Sequence, residues 1–142
     1  MKFRAPIVAL AAILSGCASS GLGGTQGTTL GLGAGDGKVT AAIVEAMAGG
    51  IIAGSAGADL DDRERRKALE AEYRALEHTP SGQSVIWRSD GGRYGEVVAA
   101  QPYRVGSQDC RQYTHTVHLG AEPRVARGTA CRNGDGSWTP LT

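Results

Sequence analysis

Cys110-Arg111-Gln112-Tyr113-Thr114-His115-Thr116-Val117-His118-Leu119-Gly120-Ala121-Glu122-Pro123-Arg124-Val125-Ala126-Arg127-Gly128-Thr129-Ala130-Cys131 reads as one β-hairpin with a cysteine at each end. Strand-like runs flank Gly120-Ala121, and glycine at the first central position suits a type II′ turn. Leu119 then stands opposite Glu122, and counting outward sets His118 against Pro123, Tyr113 against Gly128 and Cys110 against Cys131. The alternation of pair types makes His118 with Pro123 a non-hydrogen-bonded pair, where proline needs no donor. Cys110 and Cys131 form another, with α-carbons about 4.5 Å apart, within reach of a disulfide. Closing a loop of about twenty residues contributes about 3 kcal/mol by the chain-entropy estimate. Tyr113 is placed to cover the bare Gly128.

Further strands frame this hairpin. Ser84 to Arg88, Tyr94 to Ala99 and Ser137 to Leu141 are short strand-like runs punctuated by turn signals, so residues 79–142 form a small antiparallel sheet. Thr79-Pro80-Ser81-Gly82 separates it from a polar helix over 59–78. That helix opens with Asp59, Asp61 and Asp62, which suit the positive end of the dipole, and His78 suits its negative end. Leu69, Tyr73 and Leu76 make one apolar stripe to bury on the sheet. Arg63, Arg65, Arg66 and Lys67 read as a solvated face, with contact to anionic head groups as the functional alternative. The expected class is α+β: a glycine-zipper helix and a polar helix followed by a small antiparallel sheet closed by one disulfide.

Residues 38–58 carry the zipper pattern. Ala42, Ala46, Gly50, Gly54 and Ala58 recur every fourth position, a flat strip for helix association, beside Val39, Ile43, Met47, Ile51 and Ile52. Three readings stand open: a helix packed on its own domain, a helix in or on a membrane, and self-association into a homo-oligomer. Twenty residues reach across about 30 Å of hydrocarbon, but Glu45 opposes a solitary span. Close helix packing in or at a membrane fits the pattern best.

Upstream, Lys2 and Arg4 precede an apolar run from Ala5 to Leu14, and Leu14-Ser15-Gly16-Cys17 closes it. The run is too short to span a bilayer and has the layout of an export signal over 1–16. Its end resembles the bacterial lipobox, which implies cleavage before Cys17 and acylation of that cysteine, palmitate included. Multiple acyl chains make a stable anchor. Ala18 and Ser19 carry no acidic retention signal, so the resemblance points to the outer membrane, with the surface or periplasmic face open. Residues 17–37 read as a glycine-rich flexible tether.

Removing residues 1–16 leaves 13 basic and 14 acidic side chains, a net charge of −1, with no nucleic-acid footprint. The chain has three cysteines, and with Cys17 assigned to the anchor, Cys110 and Cys131 remain as an even pair for an oxidising compartment. His115 and His118, three residues apart on a strand, point to opposite faces and do not make a metal site. Trp87 and Trp138 read as core or sheet-face residues. No nucleophile elbow, phosphate loop or metal-ligand spacing frames the serines and carboxylates, so neither an enzyme nor a cofactor is expected.

The lipobox, the zipper row, Ser81-Gly82 leading to Trp87-Arg88, Cys110 to Val117, Gly128-Thr129-Ala130-Cys131-Arg132 and Asp135-Gly136-Ser137-Trp138 together resemble the 17 kDa surface antigens of rickettsiae and their proteobacterial relatives. The resemblance implies a non-enzymatic outer-membrane lipoprotein with a zipper segment and a disulfide-closed C-terminal domain. The stretch from Gly21 to Gly37 departs from the family's usual first glycine-rich helix, being too broken to hold one. The alternative is a periplasm-facing binding or assembly module for a peptide, a glycan, an envelope protein or a protease.

Overall fold

The computed structural model describes residues 42–141. Cys17, the tether over 17–37 and the start of the expected zipper helix lie outside them. One long helix, α1 (Asp62–Glu77), precedes six strands: β1 (Ser84–Arg88), β2 (Tyr94–Ala99), β3 (Tyr103–Val105), β4 (Gln108–His118), β5 (Pro123–Arg132) and β6 (Trp138–Leu141). All pairings are antiparallel, in the order β1-β2-β4-β5-β6 with β3 on β4.

The central hairpin has the expected register, but not the expected type II′ turn: Gly120 lacks the positive φ that turn requires, and residues 119–122 connect the strands as a four-residue loop. His118 pairs with Pro123, Tyr113 with Gly128 and Cys110 with Cys131, and the two cysteines are bonded with α-carbons 4.0 Å apart. The cover over Gly128 differs from expectation. A Cβ built there would come within 2.5 Å of the Cγ2 methyl of Ile51, so Ile51 fills the space assigned to Tyr113. Strand β3 is an addition to the sequence reading. Gly106-Ser107 joins it to β4 with Val105 opposite Gln108, a two-residue glycine turn.

Helix α1 begins three residues later than its acidic run. Asp61 is the N-cap: its side chain accepts from the Glu64 amide at 2.8 Å, and Glu64 accepts from the Asp61 amide at 3.1 Å, a full capping box. At the other end the Thr79 hydroxyl donates to Arg74 O, and Pro80 prevents continuation. Ala68, Leu69, Ala71, Tyr73, Ala75 and Leu76 are buried, and the helix packs across β1 and β2. Strand parity assigns Val85, Trp87, Val97, Ala99, Tyr113, Val117 and Ala130 to the same inner face, all buried.

The continuous zipper helix expected over 38–58 is corrected by the described part of that segment. The chain is helical over 42–46, turns at 47–50, and proceeds through two 3-10 turns, Ile51–Ala53 and Ser55–Gly57. Ala48, Gly49 and Gly50 all have positive φ. Helical periodicity explains the break. On a straight helix Ile43 and Ile52, nine residues apart, would point in opposite directions. Turning back at Ala48–Gly50 lets Ile43, Met47, Ile52, Ala56 and Leu60 all enter one core. Residues 42–58 are therefore a strap over the inner face, touching α1, β4 and β5. Ala42 and Ala46 are half-buried, Gly50 is buried, and Gly54 and Ala58 are exposed, so the five small residues do not share a strip.

Gly50 is the sterically restricted point of the strap. It has φ +59°, and a Cβ there would overlap the Glu72 carboxylate and crowd Leu69. Gly120 has open space around it and no positive φ. Gly50→Ala is expected to lower the unfolding free energy by about 2 to 4 kcal/mol in denaturant melts, and Gly120→Ala by less than about 0.5.

Candidate functional site

The chemistry-bearing residues of the domain meet between α1 and the sheet. Glu72, in the middle of α1, is fully buried, as is His115 on β4. Glu72 Oε1 lies 2.7 Å from His115 Nδ1, while Oε2 accepts from the Ile51 amide at 3.1 Å and from the Tyr113 hydroxyl at 3.2 Å. The Trp87 indole N–H donates to His115 Nε2 at 2.8 Å. An indole nitrogen is only a donor, so Nε2 must be the acceptor and Nδ1 must carry the hydrogen that Glu72 receives. His115 is thus a neutral imidazole in the Nδ1–H form. Burial first, and the Glu72 charge beside it, push the Tyr113 phenol far above its usual range, keeping it a donor.

Local sequence produces this geometry. Trp87 lies directly opposite Gly95, where any Cβ would overlap the indole, so the bare glycine lets the ring lie flat and reach His115 on the next strand but one. Gly50 admits the carboxylate, and Gly128 seats Ile51, whose amide then points at Glu72. The network joins β1, β4, α1 and the strap. Every proton donor and the imidazole lone pair are occupied within it, so it supplies no free base or nucleophile.

Two further groups hold the C-terminal end of α1. Arg111, 6% exposed, sends Nη1 to the carbonyls of Ala75, Leu76 and Thr79, Nε to Ala100 O and Nη2 to Ser81 Oγ. It occupies the negative end of the helix dipole, and burial pulls its guanidinium pKa down. Glu77 accepts from Nε and Nη2 of Arg132 at 2.9 to 3.2 Å and from the Trp138 indole N–H at 2.8 Å. The Arg132 hydrogen bonds, and after burial's opposing effect that of Trp138, hold the Glu77 carboxyl below its usual range. At the N-terminal end Arg93 pairs with the buried Glu64, with one more hydrogen bond to Asp59 O.

The other sequence candidates disperse. His118 is on the opposite face from His115 and stacks on Tyr94 with centroids 4.3 Å apart. Arg63 and Lys67 pair with Asp90, Arg65 donates to Gly57 O, and Arg66 is exposed. Among the described residues no helix is long and apolar enough to cross a membrane. Glu72 and Arg111 are among the residues that sequence reasoning missed. Glu72 falls inside the Leu69, Tyr73, Leu76 stripe, and Arg111 and His115 share strand parity with Tyr113 and Val117. Both are polar residues at apolar positions.

Among the described residues nothing covers the outer face of the sheet. Val98, Gln112, Thr114, Arg127 and Thr129 line a shallow groove of about 570 Å³ there.

These features define a small α+β domain with a disulfide-stapled sheet and a few buried charged side chains that fix one helix. Residues 74–139 match the family model described as 17 kDa outer membrane surface antigen. The 17 kDa surface antigen of Rickettsia bellii is 41% identical over 121 residues, covering 82% of this chain and 76% of that protein. Those of Rickettsia japonica and Rickettsia felis are 46% and 47% identical over 83 and 81 residues, covering 57% and 56% of this chain and about half of each relative. The chain belongs to the 17 kDa surface antigen family. No solved structure gives a significant match.

The Glu77 clamp has a testable pH signature. A carboxyl whose folded pKa is depressed contributes stability above its unfolded value, about 4.3, and loses that contribution as pH falls through the folded value. Thermal melts from pH 6 down to pH 2 are expected to show a smaller acid-dependent loss for Glu77→Gln than for the parent chain.

Proposed function

We propose that the chain is a non-enzymatic outer-membrane lipoprotein, acylated at Cys17, that carries its C-terminal domain as a structural, antigenic element of the cell surface. The observation that carries this reading is the use of the buried polar groups. Glu64, Glu72, Arg111 and His115 are each committed to fastening α1. A domain whose buried ionisable groups serve its own rigidity is suited to display rather than to turnover. The signal-like segment before Cys17, the disulfide and the names carried by the relatives agree with an envelope location. The row Ala42, Ala46, Gly50, Gly54 and Ala58 enters this reading as part of the strap.

A second reading, a periplasm-facing binding or assembly module, draws on the groove of the open sheet face. Fractionation of cells with a C-terminal tag separates the possibilities. The parent chain is expected in the outer-membrane fraction, labelled by palmitate, and Cys17→Ala in the soluble envelope fraction. Retention of Cys17→Ala in membranes would overturn the anchor. Loss of the tag when intact cells meet protease supports surface display, and protection until lysis favours the periplasmic module.

A further inference from the structure

The two edges of the sheet are finished differently. At one edge, Asn133 N–H donates to Ser137 O at 2.8 Å and sets the hydrogen-bond phase between β5 and β6. Pro140 on β6 then falls at an outward-facing position, where its nitrogen has no hydrogen to offer, which blunts that edge. At the other edge, Ser89 N–H donates to Arg93 O at 2.8 Å, so Trp87 with Gly95 and Val85 with Val97 are the hydrogen-bonded pairs. The backbone groups of Ser84, Ile86 and Arg88 therefore point away from β2. Their side chains lie on the open face, and Ile86 is 49% exposed. Among the described residues no proline, bulge or further strand guards this edge.

We propose that β1 is the seam of a two-fold dimer, in which a second copy of this chain adds its own β1 antiparallel along the free edge with Ile86 opposite Ile86. The geometry is self-complementary. With Ile86 on the two-fold axis, Ser84 stands opposite Arg88 of the second copy, and the outward amides and carbonyls at these positions face one another. Charge complementarity on the helix above selects a second copy over an unrelated strand. Lys67 Nζ donates to Arg88 O at 2.9 Å, which places Lys67 on the flank of α1 that overhangs the β1 edge. Helical spacing puts Glu70 and Arg74 on that flank, where they pair at 2.7 Å and remain exposed. Since Lys67 lies beside Arg88 and α1 runs antiparallel to β1, the level of Ile86 corresponds to the helix midway between Glu70 and Arg74. The two-fold axis therefore brings Glu70 of each copy to Arg74 of the other. Lys67 occupies only one lone pair of the Arg88 carbonyl, leaving the other for the seam.

The proposal goes beyond the display reading and does not depend on Cys17. Sedimentation equilibrium of the full chain, extracted from membranes in mild detergent, tests it. The parent chain is expected to dimerise reversibly, and Ile86→Pro, which removes an outward N–H and the Ile86 side chain but no β1–β2 ladder hydrogen bond, to weaken the dimer at least about tenfold. Ile86→Lys and Ile86→Glu are each expected to be monomeric and to form a mixed dimer when combined, with folding of all variants checked by circular dichroism. A parent chain that stays monomeric throughout the micromolar range, or a dimer insensitive to Ile86→Pro, would overturn the proposal. Folded Lys and Glu variants that fail to combine would do the same. So would a photo-crosslinker at Ser84 that captures only a different polypeptide in intact cells.

Discussion

A fully buried carboxylate has to be satisfied on every side, and Glu72 sets that requirement for this domain. Its oxygens receive an imidazole N–H, a phenol O–H and a backbone amide from β4 and the strap, with no cation among them. Hydrogen bonds to a buried charge contribute about 1.5 to 3 kcal/mol each, and removing one donor leaves an anion underserved in an apolar surrounding. The neighbouring sequence is shaped by this demand. Gly50 gives the carboxylate room, Gly95 lets the Trp87 ring lie flat to fix the imidazole, and Gly128 seats the Ile51 side chain. The glycines that looked like an association strip, or a bare strand position, are in part clearances around one charged group.

The other pins repeat the theme along α1. Arg93 meets Glu64 at its first turn, Arg111 gathers the carbonyls of its last turn, and Arg132 with Trp138 holds Glu77. Exposed pairs such as Arg63 with Asp90 add little by comparison. Buried ionic contacts need not exceed an apolar core in stability, but they tolerate few alternative arrangements. Their effect here is a helix with a fixed rotation and a fixed height over the sheet, and a core of small and medium side chains that closes around it. The disulfide adds a covalent limit to the separation of β4 and β5.

The sheet was legible because its determinants are local. A short connection centred on Gly120-Ala121 specifies a register, strand alternation specifies faces, and together they place Cys110 opposite Cys131. The strap was not legible in the same way. Ala42, Ala46, Gly50, Gly54 and Ala58 satisfy a helical spacing rule, yet the path is decided by the need to bury Ile43 and Ile52 on one side, a tertiary demand that overrides periodicity. Glu72, Arg111 and His115 were hidden for a related reason. A polar residue at an apolar position announces a partner, but the partner lies on another element: 43 residues separate Glu72 from His115. The family relationship was readable from the hairpin and strand motifs, which fall within the matched span.

Stiffness of this kind agrees with the proposed display role, and it rests on the tautomer that Trp87 and Glu72 impose on His115. Nitrogen-15 NMR of the His115 ring at neutral pH tests that directly. A protonated Nδ1 and an unprotonated Nε2, with both shifts moved by Trp87→Phe, is the result this account predicts. An Nε2–H tautomer, or an imidazolium in the folded protein, would contradict it.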